Sequence, residues 1–331
     1  MSWVQIPPGS HMARDTEQKE LNSINIPKIV MDINPKEELG EFYWALHYKK
    51  MPDLRKSILT HRYFQRLKES LGSTNIESED QEKQIIWDFL TKAHQRDRER
   101  IEGFLEFSQR ELNEKSMETL IALAKLMDYE WPENPPEYRA IPVLLPFSPF
   151  GDNDFYFSVL GVAQGKDQKA FLDVAIHEIS HMILFAILEK YHPEIPSDDT
   201  HMNVPIFYLK EILAPVLMNQ HSLRKFLDLH DHPEDYLGNP DIEEIYIAEG
   251  DSQEKVQVSR YFQNLYEQMR YQEHKTFPEI LDKMLKIIQP MEKELAKRCD
   301  LWNEHGWKIF TDQEIARVYS EPIKIEKIEN I

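Results

Sequence analysis

The segment "VAIHEISHMIL", residues 174–184, sets two histidines four positions apart around a glutamate, inside an otherwise apolar run. On a helix, positions four apart share a face, with Cβ atoms roughly 5–6 Å apart. His177 and His181 can then both turn a ring nitrogen toward one ion, at about 2.0–2.1 Å for zinc. Glu178 points about 100° away from His177. That direction is poor for a third ligand but reaches a water held on the open position of a metal. Val174, Ala175, Ile176, Ile179, Ser180, Met182 and Ile183 are all uncharged, as in a helix buried in the middle of a domain. Burying two histidines and a glutamate there without compensation is costly. The competing reading is a core helix whose histidines are satisfied by backbone or carboxylate groups. A chance occurrence of the pattern in this chain is on the order of a few per cent.

A catalytic zinc needs a third protein ligand and one position left for water. Leu184 and Ile187 stand where the metzincin extension places glycine and histidine, and no Gly-Thr-x-x-Asp pattern occurs. What remains is a carboxylate from a second helix. "FYLKEILAPVLM", residues 207–218, supplies Glu211, far enough beyond His181 for the first helix to end, the chain to reverse and the next helix to begin. Asp198, Asp199 and His201, in the connecting loop, compete for the same role. Glu211 also has an ordinary reading, as a solvated carboxylate favoured by the dipole near a helix start.

The chain around this motif has 331 residues, 41% hydrophobic and 29% charged, which reads as globular rather than disordered. Its 58 acidic against 39 basic residues give a formal net charge of −19. That balance argues against any general affinity for nucleic acid or an anionic membrane. A single cysteine, Cys299, excludes an internal disulfide and a cysteine-based metal cage. No uninterrupted apolar run approaches the roughly 18 residues of a membrane-spanning helix, the longest being Met182 to Leu188. Residues 1–12, ending in "GSHM", read as vector-derived tag and are set aside. An export signal lost in cloning would leave the same start, so a missing signal peptide does not argue for the cytoplasm.

Three regions follow from the patterning: the tag, a strand-plus-helix region over 13–135, and 136–331 carrying the motif and a helical C-terminal part. "NIPKIVMDI" (25–33) alternates as a strand, and Pro35 opens a helix with apolar spacing at Leu39, Phe42 and Leu46. Residues 53 to about 127 read as two or three charged amphipathic helices, the first closing on Gly72. "MDYEWPENPPEY" (127–138), with three prolines, is the clearest linker signal. "RAIPVLLPFSPF" and "DFYFSVLGVAQ" read as strands separated by a turn at 151–154. The motif helix should end before Pro193, and Pro215 should kink or end the next helix. Residues 230–254 read as an acidic, turn-rich stretch. The rest, 255 to about 298, reads as two amphipathic helices before a short tail. The expected class is α+β, mostly helical, with a small mixed sheet packed on the motif helix.

With His177, Glu178, His181 and Glu211 in place, the sequence resembles the gluzincin class of zinc metallopeptidases. Within it, "INPKEELGEFYWAL" (33–46), "IHEISH" (176–181), "YLKEILAPVLM" (208–218) and "RYQEHKTFPEIL" (270–281) resemble a bacterial family of uncharacterised domains. The resemblance spans nearly the whole chain and implies a zincin-like core. It also implies one Zn2+ held by His177, His181 and Glu211, with Glu178 as general base in hydrolysing a peptide or protein substrate. The chain departs from the thermolysin-type Asn-Glu-x-x-x-Asp pattern, since Lys210 precedes Glu211 and Pro215 follows it, and it lacks a Gly-x-Met-x-Asn exopeptidase motif. An oxyanion donor is also expected, with candidates Tyr236, Tyr246, Tyr261, Tyr271, His230, His232 and His274, of which the resemblance favours Tyr271 or His274. It tilts localisation toward the cell envelope. Two other readings stand beside it: a non-catalytic protein of the same build with a structural metal or none, and a helical interaction protein working through residues 53–127.

Overall fold

The computed structural model describes residues 25–48, 52–148, 151, 153–166, 171–195, 203–227, 238–250, 252 and 254–326. In chain order, β1 (Lys28–Met31) leads into α1 (Pro35–His47), α2 (Pro52–Thr60), α3 (Gln65–Ser73) and α4 (Glu79–Leu126). Strands β2 (Glu137–Val143) and β3 (Asp154–Ser158) follow, then the short helix α5 (Leu160–Ala163), α6 (Phe171–Tyr191) and α7 (Val204–Met218). Two short helices, α8 (His221–Arg224) and α9 (Pro240–Glu243), precede β4 (Tyr246–Glu249) and β5 (Val256–Gln257). The chain closes with α10 (Val258–Glu267), α11 (Phe277–Ile288), α12 (Glu292–His305), α13 (Gln313–Tyr319) and β6 (Ile323–Ile325). The architecture is α+β and mostly helical, with small sheets.

Helix α4 runs 48 residues without a break, about 72 Å at 1.5 Å per residue. Ser78 caps it by accepting from Gln81 N, and Glu79, Asp80 and Glu82 complement the dipole in its first turn. Buried positions 86, 90, 93, 97, 101, 104, 108 and 112 recur every three or four residues along one stripe. No proline interrupts it, and the lone Gly103 costs only about 1 kcal/mol. The helix ahead of it breaks at the 3-10 turn Arg62–Phe64, and α3 ends at Ser73 with Thr74 as cap, so Gly72 lies inside the helix rather than closing it.

The sheet next to the motif helix is entirely parallel, in the order β1-β2-β3, whereas a mixed sheet was expected there. Alternation along a strand specifies its faces but not its direction. The ten residues 144–153 are also a short return for a parallel connection, which usually takes a dozen or more. Arg139 in the central strand ties the sheet together, donating to Asp32 beyond β1, to Glu37 of α1 and to Asp154 of β3. Pro142, which has no N–H for the ladder, lies beyond the end of the β1 pairing. Strands on both sides of the 135/136 boundary thus share one sheet, and the proline-rich 127–138 segment leads α4 directly into it. The mixed sheet lies elsewhere, in the order β5-β4-β6. It takes β4 from the acidic stretch and β6 from what the sequence presents as a tail.

Helix α6 is apolar almost all round, with Phe171, Leu172, Ile176, Ile179, Ile183, Leu184 and Leu188 all buried. It ends at Tyr191, before Pro193. By length and mean hydropathy (1.7) it would pass for a membrane span, which a count of uninterrupted apolar residues overlooks; 78% of that window is buried inside the protein. A helix apolar on every side belongs in a core. It packs against α4, α7 and β3. Helix α7 starts at Asn203, whose side chain accepts from Ile206 N at 3.2 Å, with Pro205 in its first turn. It continues through Pro215 to Met218. Pro215 has no N–H to give the carbonyl of Glu211, four residues back.

Candidate metal centre

Packing of α6 on α7 brings His177, His181 and Glu211 together, with one ligand atom from each within 4.8 Å of the others. His177 Nε2 lies 3.3 Å from one carboxylate oxygen of Glu211, and His181 Nε2 lies 3.7 Å from the other. Ligands held tetrahedrally at about 2.0–2.1 Å stand roughly 3.3–3.4 Å apart. The donor set and its spacing therefore fit a zinc ion. The two rings meet edge to face, centroids 4.6 Å apart at 79°, so their nitrogens converge instead of stacking. His181 is 1% exposed, whereas His177 and Glu211 keep 20% and 15% of their side-chain surfaces open. Solvent reaches the cluster from the His177 and Glu211 side.

The neighbours of these groups set their charge states. Burial and the nearby Lys210 and His177 push the His181 pKa well below its ordinary value, so the imidazole is neutral, as a ligand must be. Burial opposes the charged form of His177, but its bond to Glu211 and the charges of Glu178 and Glu211 outweigh this and raise its pKa. Burial would raise Glu211 as well; Lys210 and the two histidines instead hold it well below the usual carboxylate range. Glu178 is buried, and desolvation lifts its carboxyl to about 7 against the opposing pull of His177. Glu178 is close enough to Glu211 and Lys210 for both charges to act on it.

Two groups at the site escape a reading of the sequence. The Lys210 ammonium contacts the Glu211 carboxylate, and Lys210 is itself buried. Asn239, just ahead of α9, donates from Nδ2 to the other Glu211 oxygen at 2.7 Å. A ligating carboxylate is commonly oriented by such a donor. Asp241, two residues on, has its carboxyl raised to about 6 by burial, with Glu211 adding to the effect. The only available signal was "NP" at 239–240, which reads as a turn; nothing local ties it to a carboxylate on another helix.

The oxyanion candidates have their described contacts elsewhere. Tyr271 donates to Gln220 and is 53% exposed, and Tyr261 donates to Glu249. Lys255 covers the Tyr246 ring, and exposed His274 occupies the left-handed region at φ 56°. Asp198, Asp199, His201, His230, His232 and Tyr236 lie outside the described residues. Edge strand β3, which also packs on the motif helix, has its outer side without a strand partner among the described residues. No family model, curated protein or solved structure matches the chain.

Proposed function

We propose that the chain is a zinc-dependent peptidase of gluzincin type. The observation that carries the reading is the convergence of two histidine nitrogens and one carboxylate at ligand-to-ligand spacing. His177, His181 and Glu211 would hold Zn2+, which when bound polarises a carbonyl and acidifies a water. Glu178 would take a proton from the attacking water and return it to the leaving amine. Asn239 orients Glu211, and burial of Glu178 favours proton uptake by its carboxylate. An extended peptide laid along the outer edge of β3, which no described strand pairs, would gain main-chain hydrogen bonds.

A second reading, a non-catalytic protein of the same build, is favoured by one contact: the Lys210 ammonium already offers Glu211 a cation. Elemental analysis and a hydrolysis assay together separate the two. The peptidase reading expects about one zinc per chain in the purified protein, lost in His177→Ala and reduced in Glu211→Ala. Glu178→Gln should keep the metal and lose about 10²- to 10⁴-fold in peptide hydrolysis. A chain that takes up no zinc even when incubated with it sinks the enzyme reading. Undiminished hydrolysis by Glu178→Gln removes Glu178 as base.

A further inference from the structure

A second cleft, sharing no residue with the metal triad, is built from three elements. The turn before α3 and the first residues of α3 contribute Arg62, Tyr63, Gln65 and Arg66; the middle of α4 contributes Arg96, Asp97 and Arg100; the end of α5 contributes Ala163 and Gln164. Its volume is about 510 Å³, within the roughly 300–1,000 Å³ of small-ligand sites. Four arginines and a single carboxylate residue therefore line one open concavity. On a chain with 58 acidic and 39 basic residues that is the reverse of what composition alone would place there.

The one carboxylate is fully engaged. Asp97 is 2% exposed and accepts from Arg96 Nε and Nη2 at 3.0 and 2.6 Å, from Tyr63 Oη at 2.8 Å, and from Arg100. Burial opposes its charge, but these donors more than offset that and hold its pKa below the ordinary value. Asp97 thus acts from below as a fixed anchor for two arginines whose side chains remain 48% and 52% exposed. Arg96 is further held over the Tyr63 ring, 4.8 Å from its centroid. Arg62 and Arg66 are exposed and have no carboxylate partner among the described residues. The rim is positive too: after burial, Arg62 and Lys166 are what depress the His61 pKa. Gly165, at φ 75°, turns the chain beside the cleft, where an added Cβ would stand 3.7 Å from Arg100 Nη1.

Guanidinium forks match planar and tetrahedral oxyanions bidentately. Two anchored and two uncommitted forks, less one sequestered carboxylate, leave an excess of three positive charges. A monovalent ligand would leave most of that unbalanced. A long polyanion would be repelled by a molecule whose overall net charge is −19. We propose that this cleft binds a small multivalent oxyanion, a molecule carrying two or more phosphate or carboxylate groups.

Isothermal titration of the full chain at low ionic strength, with inorganic pyrophosphate, citrate and a single-stranded DNA oligonucleotide in separate arms, tests this. One pyrophosphate or citrate should bind per chain with Kd below about 1 mM, the tighter of the two identifying phosphate or carboxylate chemistry. Arg62→Gln/Arg66→Gln, which touches only exposed side chains, should weaken that binding by about tenfold or more while leaving Tm and zinc uptake unchanged. Arg66→Gln alone serves as the second variant if the double one proves unstable. No binding of either small anion, binding indifferent to these substitutions, or an oligonucleotide that displaces pyrophosphate would each overturn the proposal.

Discussion

At the scale of single residues, the spacing of His177 and His181 was enough to place both nitrogens at one point, because i and i+4 meet on any helix. Glu211 was reachable by counting residues to the next helix. Asn239 was not, since its contact with Glu211 depends on how a stretch 28 positions away folds back. That contact makes a prediction. On the proposed zinc reading, Asn239→Leu should leave the fold intact but remove one donor from the Glu211 carboxylate, lowering zinc affinity by about 10- to 100-fold. Competition against a metal indicator measures it, and an affinity equal to wild type would show that Asn239 has no part in holding the ligand. Lys210 is the residue whose neighbourhood departs most from a simple metal site. Its charge stabilises ionised Glu211 but opposes a dication, so Lys210→Met should raise zinc affinity, by about tenfold or more given the short separation. The same titration reports it, and weaker binding in the variant would mean that the ammonium positions Glu211 instead of competing for it.

At the scale of elements, the helices were the legible part and strand direction was not. The stripe along α4 and the caps at Asn34, Ser78 and Asn203 are local signals. Parallel pairing of β1 with β2 is written in no local signal, because nothing in "KIVM" specifies a partner strand or its direction. The end of α4 shows a further non-local device. Asp128, at φ 45°, accepts both Arg270 Nη atoms at 2.6 Å and the amide of Phe277 at 2.7 Å, clasping α4 to the start of α11. Arg270 also donates to the Lys125 carbonyl, and Tyr266 to that of Leu126. Burial would raise the Asp128 pKa, but these donors set it below its ordinary value. A depressed carboxylate contributes stability that is present above its unfolded value of about 3.9 and lost as pH falls through the folded one. Asp128→Asn, which keeps the left-handed backbone accessible, should therefore cost about 1 kcal/mol at neutral pH, discounted for partial exposure. It should also flatten the acid side of the stability curve. Chemical denaturation across pH 3 to 7 would show this, and parallel wild-type and variant curves would remove Asp128 from the acid response.

At the scale of the whole molecule, the charge surplus is the property most plainly written in the sequence, and its effect is physical. Self-repulsion among net −19 charges works against the compact state. Raising NaCl from near zero to about 0.15 M, where the screening length is about 8 Å, should raise Tm. A Tm that falls over that range would show that favourable ion pairs such as those of Arg139 outweigh the repulsion. One contiguous core draws residues from Ile29 to Ile325, so the regions visible as separate textures in the sequence share a single interior.

The sheet of β1, β2 and β3 also sets an order in time. Asp32, just after β1, and Arg139, in β2, lie 107 positions apart, and α4 intervenes. At roughly 5–20 residues per second of synthesis, β1 waits on the order of 5–20 s for its partner strand to exist. Until then "KIVM" is an unpaired apolar edge, and the pairing closes a loop of high contact order. The helices between the strands can form during that wait, so pulse-labelled refolding should protect the amides of α4 before those of β1. Because β1, α1 and α3 pack back along α4, a long helix laid down first would give the earlier part of the chain a surface on which to return toward β2, making α4 a template for assembly as well as a wall of the finished core.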